Sequence, residues 1–170
     1  MRAAPPPLRI LVVDDCPDTA YSFAELLRLH GFDTRSAGSG GVALALCAAW
    51  RPDVVLLDLW MPGVNGFEVA RQLREREGAM RLVAVTGLAT HEYRERAAAA
   101  GFQHFLVKPV EPAVLVDLLR EWAATPARRL PRHTGAAVRI SPVAPAAART
   151  GGTRTREMRG APTALLQTER

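Results

Sequence analysis

The chain has 170 residues, 48% of them hydrophobic and 23% charged, which suits one domain with an appendage. Its 13 Gly and 13 Pro exclude a collagen-like or wholly low-complexity chain. The net charge of +5 invites a nucleic-acid reading. The charge is segregated, however. Residues 1–123 carry 13 basic and 15 acidic side chains and all ten aromatics, whereas residues 124–170 carry nine Arg against Glu157 and Glu169. The first part can build a core, and the second has too little apolar content to offset its ordering entropy. The expected organisation is a disordered N-terminus over residues 1–7, a folded domain over 8–123 and a disordered Arg/Ala/Pro-rich tail over 124–170. The apolar runs fall short of the ~20 residues a bilayer-spanning helix needs, and no signal-peptide pattern opens the chain. Cys16 and Cys47 form neither a disulfide framework nor a metal-ligand spacing. A cytoplasmic location is therefore expected.

In chain order, residues 8–13 form a short branched apolar run halted by Asp14 and Asp15, which predicts a buried strand. Pro17 opens a helix that Gly31 stops, with Asp15 or Cys16 as its cap and Phe23, Leu26, Leu27 and His30 at helical spacing. Residues 32–37 alternate as a strand. Ser39 predicts an N-cap for a helix over 40–50, with Val42, Leu44, Leu46 and Cys47 as its apolar content. Residues 53–57 are a strand delivering Asp58, followed by a Pro- and Gly-rich loop over 61–66. A helix is expected over 67–77, with Phe67, Val69, Ala70 and Leu73 inward. A strand over 81–85 ends at Thr86, and Thr90 caps a helix through Ala100. A strand over 102–107 ends at Lys108 and Pro109, and a last helix covers 111–123 with Val114, Leu115, Leu118, Leu119 and Trp122 inward. Five strand-then-helix units imply an α/β fold with a doubly wound parallel sheet.

Ligands of such sheets bind beyond the carboxyl ends of the strands. Strand one ends in Asp14 and Asp15, strand three in Asp58, strand four in Thr86 and strand five in Lys108. Strand two ends in Ala37 and Gly38, with no polar group to offer. That blank end belongs at an edge, which predicts the strand order 2-1-3-4-5. Converging carboxylates repel one another unless a cation joins them, and a hard divalent ion such as Mg²⁺ suits their oxygens. Asp58, after a buried strand and before a turn, is the best-placed nucleophile for a phosphoryl group. Lys108 would hold a phosphoryl oxygen as a compact cation, and Thr86 would donate to another. Lys108 is the only Lys of the chain, against 21 Arg.

With Asp14–Asp15, Asp58 followed by Met61-Pro62-Gly63 and Gly66, Thr86-Gly87, and Lys108-Pro109 after Phe105, residues 8–123 resemble the receiver domain of bacterial response regulators in two-component signalling. The resemblance implies a flavodoxin-like (βα)5 fold and phosphoryl acceptance on Asp58 from a sensor histidine kinase or a histidine phosphotransfer protein. It implies Mg²⁺ held by Asp14 or Asp15 (mainly Asp15), Asp58 and the backbone carbonyl of Trp60. It makes Thr86 and Phe105 a switch pair and Lys108-Pro109 a cis peptide. It places an output surface on the fourth helix, fifth strand and fifth helix, around Tyr93, Phe105 and Val110, for an unknown downstream protein, and it leaves room for a phosphorylation-dependent dimer. It implies no enzyme acting on other substrates, only self-catalysed phosphoryl transfer and slow dephosphorylation. Trp60 and Leu88 occupy positions that flank the path of hydrolytic water in the family and are often polar there. Two bulky apolar groups predict a long-lived aspartyl phosphate.

Three other readings compete. In a transcriptional regulator the basic tail would contact DNA, but the tail has no aromatics for base stacking and no helix-turn-helix pattern. A phosphohydrolase of the aspartate-nucleophile type would place a second Asp where Trp60 stands. A pseudo-receiver would lack part of the set Asp15, Asp58, Thr86 and Lys108. Cys16, the four His residues and the Gly38–Gly41 segment read as structural or incidental.

Overall fold

The computed structural model describes residues 6–76 and 80–124. The expected N-terminal segment and tail lie almost wholly outside the described residues, as does Glu77. Five strands, β1 (Arg9–Val13), β2 (Asp33–Ala37), β3 (Val54–Leu57), β4 (Arg81–Thr86) and β5 (His104–Val107), alternate with five helices. The helices are α1 (Pro17–Leu29), α2 (Gly40–Trp50), α3 (Gly66–Arg76), α4 (His91–Ala99) and α5 (Pro112–Ala124). The sheet has the order β2-β1-β3-β4-β5 and every pairing is parallel, with Val13 opposite both Ala37 and Leu57. Among the described residues no helix is long and apolar enough to cross a membrane.

The two-residue period of a strand divides the core in two. Ile10, Val12, Val54, Leu56, Val83 and Val85 pack against α1 and α5, through Ala24, Leu27, Leu115 and Leu119. Leu11, Val13, Val55, Leu57, Leu82 and Ala84 pack against α2, α3 and α4, through Ala43, Cys47, Val69, Leu73 and Ala97. Both faces of the sheet are thus covered, which is why β1, β3 and β4 read as nearly unbroken apolar runs, while the edge strand β2 is partly exposed.

Several element details differ from the sequence expectations for local reasons. Strands β2 and β5 begin later than residues 32 and 102. Phe32 N donates to Leu27 O at 3.1 Å and Phe102 N to Ala97 O at 3.0 Å. Those bonds close the ends of α1 and α4 before the ladder starts. In α1 the buried positions are Ala20, Ala24 and Leu27, the two Ala being small enough to let the helix approach the sheet, while His30 is exposed. In α2 the buried residues are Gly40, Ala43, Cys47 and Trp50, and Val42 faces solvent. A helix without a single charge has no polar face to fix its rotation in the sequence alone. In α5, Leu115, Leu118, Leu119 and Trp122 are buried as expected, joined by Val116, while Val114, also expected inward, is only half-buried.

Candidate functional site

The loops that follow β1, β3, β4 and β5 gather the predicted residues at one end of the sheet. Their backbones are fixed by continuing the parallel ladder. Asp14 N donates to Ala37 O at 3.1 Å, Asp58 N to Val13 O at 2.9 Å and Lys108 N to Thr86 O at 2.9 Å. Each carboxylate is then oriented by a local backbone donor. Asp14 Oδ1 accepts from Cys16 N and Asp58 Oδ1 from Trp60 N, both at 3.0 Å. Such two-residue Asx bonds hold the side chain without any partner from elsewhere in the chain.

The remaining oxygens meet the lone Lys. Lys108 Nζ donates to Asp14 Oδ2 and to Asp58 Oδ2, each at 2.6 Å. Both carboxylates are buried, and charge-assisted bonds of this length are strong. Burial alone would lower the Lys108 pKa, but the two carboxylates outweigh it and hold the ammonium above its ordinary value. Lys108 and Pro109 are joined by a cis peptide.

Asp15 is exposed, yet one oxygen from each of Asp14, Asp15 and Asp58 can be chosen so that all lie within 4.8 Å of one another. Three carboxylates facing one ammonium leave a local excess of negative charge. An all-oxygen donor set of that charge fits a hard divalent cation such as Mg²⁺, which binds a few carboxylates and keeps its other positions for water or phosphate.

Thr86 is fully buried, and its Oγ1 accepts from Leu88 N at 3.3 Å. Trp60 and Leu88 stand on the loops after β3 and β4 and are 55% and 41% exposed. The Trp60 indole leans on Tyr93 of α4, with ring centroids 5.9 Å apart. Tyr93 in turn stacks on Phe67 at 6.2 Å. At the expected output surface Tyr93 and Val110 are half-buried, and Phe105 packs inward. Phe105 is 2% exposed, and the Arg94 guanidinium lies over its ring, 4.8 Å from the centroid. Val110 packs against the opposite core, with α1 and α5. Arg94 carried no signal in the sequence, since one more Arg on an exposed-looking helix is unremarkable in a chain so rich in them. Cys16 is exposed at the start of α1, and hydrogen bonding with Thr19 lowers its pKa.

Residues 10–120 match the family model described as the response regulator receiver domain. Protein PilH of Pseudomonas aeruginosa is 36% identical over 113 residues, covering 65% of this chain and 93% of that protein. The DNA-binding response regulator MtrA of Mycolicibacterium smegmatis is 40% identical over 112 residues, 66% of this chain but 49% of MtrA. The chain thus spans about half the length of that relative. Among solved structures, a CheY-like response regulator receiver domain protein from Methanospirillum hungatei superposes with a TM-score of 0.65 at 28% identity, covering 68% of this chain and 92% of that one. Chemotaxis protein CheY4 of Vibrio cholerae gives 0.65 at 27% identity, covering 68% and 98%.

Proposed function

This chain belongs to the response regulator receiver domain family, and from that membership and the geometry of its acidic site we propose that it accepts a phosphoryl group on Asp58. The donor would be a sensor histidine kinase or a histidine phosphotransfer protein. The observation that carries the reading is the Lys108 ammonium held at 2.6 Å from both Asp14 and Asp58. It leaves the acceptor carboxylate buried and beside a cation that can follow a phosphoryl oxygen.

In the proposed step an Asp58 carboxylate oxygen attacks phosphorus. The new P–O bond replaces the P–N bond of a phosphohistidine, and the departing imidazole keeps that bond's electron pair and takes up a proton. Asp14, Asp15, Asp58 and the Trp60 backbone carbonyl would hold Mg²⁺, which supplies charge neutralisation for the transferred group. Lys108 neutralises a further oxygen, and the Thr86 hydroxyl, released from Leu88 N, donates to another. The chain turns over no separate substrate in this reading. It changes the surface it offers to a downstream protein. A small phosphodonor with Mg²⁺, followed by intact mass, tests this directly. One phosphoryl adduct is expected on the native chain and none on Asp58→Asn; an unmodified native chain refutes the reading.

Trp60 and Leu88 flank the site with apolar bulk, which disfavours an ordered attacking water. Trp60→Asn is therefore expected to shorten the lifetime of the phosphorylated chain by roughly tenfold, the scale of one positioned hydrogen-bonding group. Loss of the adduct with time, compared with the native chain, measures it. An unchanged lifetime removes Trp60 from the account. The charge of residues 124–170 favours a second reading, contact with DNA by the tail. Salt-dependent DNA binding by the full chain, abolished when those residues are removed, would select it.

A further inference from the structure

Phe105 lies on β5, three residues before Lys108. There it stands opposite Ala84, and its ring joins the core beneath α3 and α4 with Ala97 and Phe102. Being Phe, it carries no hydroxyl that must find a partner when buried. Its outer face would nonetheless be wet if α4 ended in small side chains at this point. The Arg94 guanidinium closes it instead, with Cζ 4.8 Å from the ring centroid. That distance and placement suit a cation–π contact. Arg94 is half-buried. Among the described residues no carboxylate lies within ion-pair distance of it, whereas the Arg residues at the start of β1, in α1 and in α3 do have such partners. The ring is the group that engages it.

We propose that Arg94 is a positioning residue for the switch: its guanidinium caps Phe105 and holds the ring inward, so that the outer surface of α4 and the phosphoryl site are coupled through this contact. The inference rests on the reading of Phe105 as the partner of Thr86. If the inward ring accompanies phosphoryl binding, a group that stabilises the inward ring must also tighten that binding, because the coupling is reciprocal.

The test uses the full chain with 4-fluorophenylalanine at position 105, in the native, Arg94→Met and Arg94→Lys forms. Met keeps length and apolar cover but no charge; Lys keeps the charge. The native fluorine resonance is expected to be single and shifted from the free amino acid. In Arg94→Met it moves towards the free position and broadens, and in Arg94→Lys it largely returns. Affinity for the phosphoryl mimic beryllofluoride with Mg²⁺ is expected to fall about two- to fivefold in Arg94→Met, the fold-change of one exposed cation–π contact, with Lys restoring most of it. Packing alone would make Met the better replacement, so rescue by Lys and not by Met identifies the charge. Identical resonances and equal beryllofluoride affinity in the native chain and Arg94→Met overturn the proposal. A native chain that ignores beryllofluoride overturns the phosphorylation reading instead, and the fluorine resonances still decide the cap on their own.

Discussion

Replacing Lys108 with Met is expected to slow phosphoryl acceptance by roughly 10²–10³-fold, the usual cost of removing one donor from a charge-stabilising site. Lys108 Nζ is the group that spans Asp14 and Asp58, at 2.6 Å from each, and a transferred phosphoryl group arrives with negative charge on the oxygen nearest that ammonium. The same substitution leaves two buried carboxylates with no cation between them. Breaking a dry ion pair costs about 3–5 kcal/mol. Here the Lys side chain is 28% exposed and water reaches the site, so the cost is nearer 1–2 kcal/mol. Mg²⁺ should recover much of that loss, because a divalent ion can replace the missing charge for Asp14 and Asp58 at once. Thermal unfolding of both forms with and without Mg²⁺ measures it. A variant as stable as the native chain, and equally indifferent to Mg²⁺, would mean that these carboxylates do not depend on a shared cation. Lys108→Arg should keep the stability better than the rate, since a planar fork cannot take the place of a compact ammonium between two oxygens.

Much of this site was legible because parallel α/β topology makes strand ends converge. Once residues 8–13, 53–57, 81–85 and 102–107 are read as strands, Asp14, Asp58, Thr86 and Lys108 must meet at one end, and the polar-free end of β2 must lie at an edge. What the sequence could not supply was rotation and cover. The even apolarity of α2 hides which side of the helix is buried, so Val42 reads as core and is exposed. Phe105 is buried as a packing switch residue should be, but its cover by Arg94 is not legible, because the contact joins two elements whose relative height depends on the loop between them. The late starts of β2 and β5 follow from main-chain bonds that close α1 and α4, which compete with strand formation in a way that side-chain pattern does not reveal. Arg74 is a further case. It donates to the carbonyls of Met80 and Gly101 and so ties the end of α3 to β4 and to the turn after α4, with burial holding its pKa down to about 10. In the sequence it is one polar helix residue among several.

Gly66→Ala is expected to destabilise the domain by about 3 kcal/mol, at the upper end of overpacking costs, and to lower its melting temperature by ~10 °C. Gly66 opens α3, and a Cβ there would lie 2.3 Å from the carbonyl oxygen of Asp58 and 2.8 Å from Leu59 Cα. Those are main-chain atoms of the acceptor loop, so they cannot yield as a flexible side chain would. Either α3 retreats, uncovering Val69, Ala70 and Leu73, or the Asp58 backbone shifts and carries the carboxylate away from Lys108. The first route costs stability and the second costs phosphoryl acceptance, so both should fall together. Gly41 provides the contrast. It lies within α2, and a Cβ added there meets nothing within 4 Å. Gly41→Ala should therefore raise stability by about 0.5 kcal/mol through the smaller entropy loss of Ala in a helix, with no effect on phosphorylation. Denaturant unfolding and phosphodonor labelling of the two variants check the pair. Equal stabilities would show that the loop carrying Asp58 gives way freely, and the close approach of α3 to the acceptor backbone would then have no part in fixing the carboxylate.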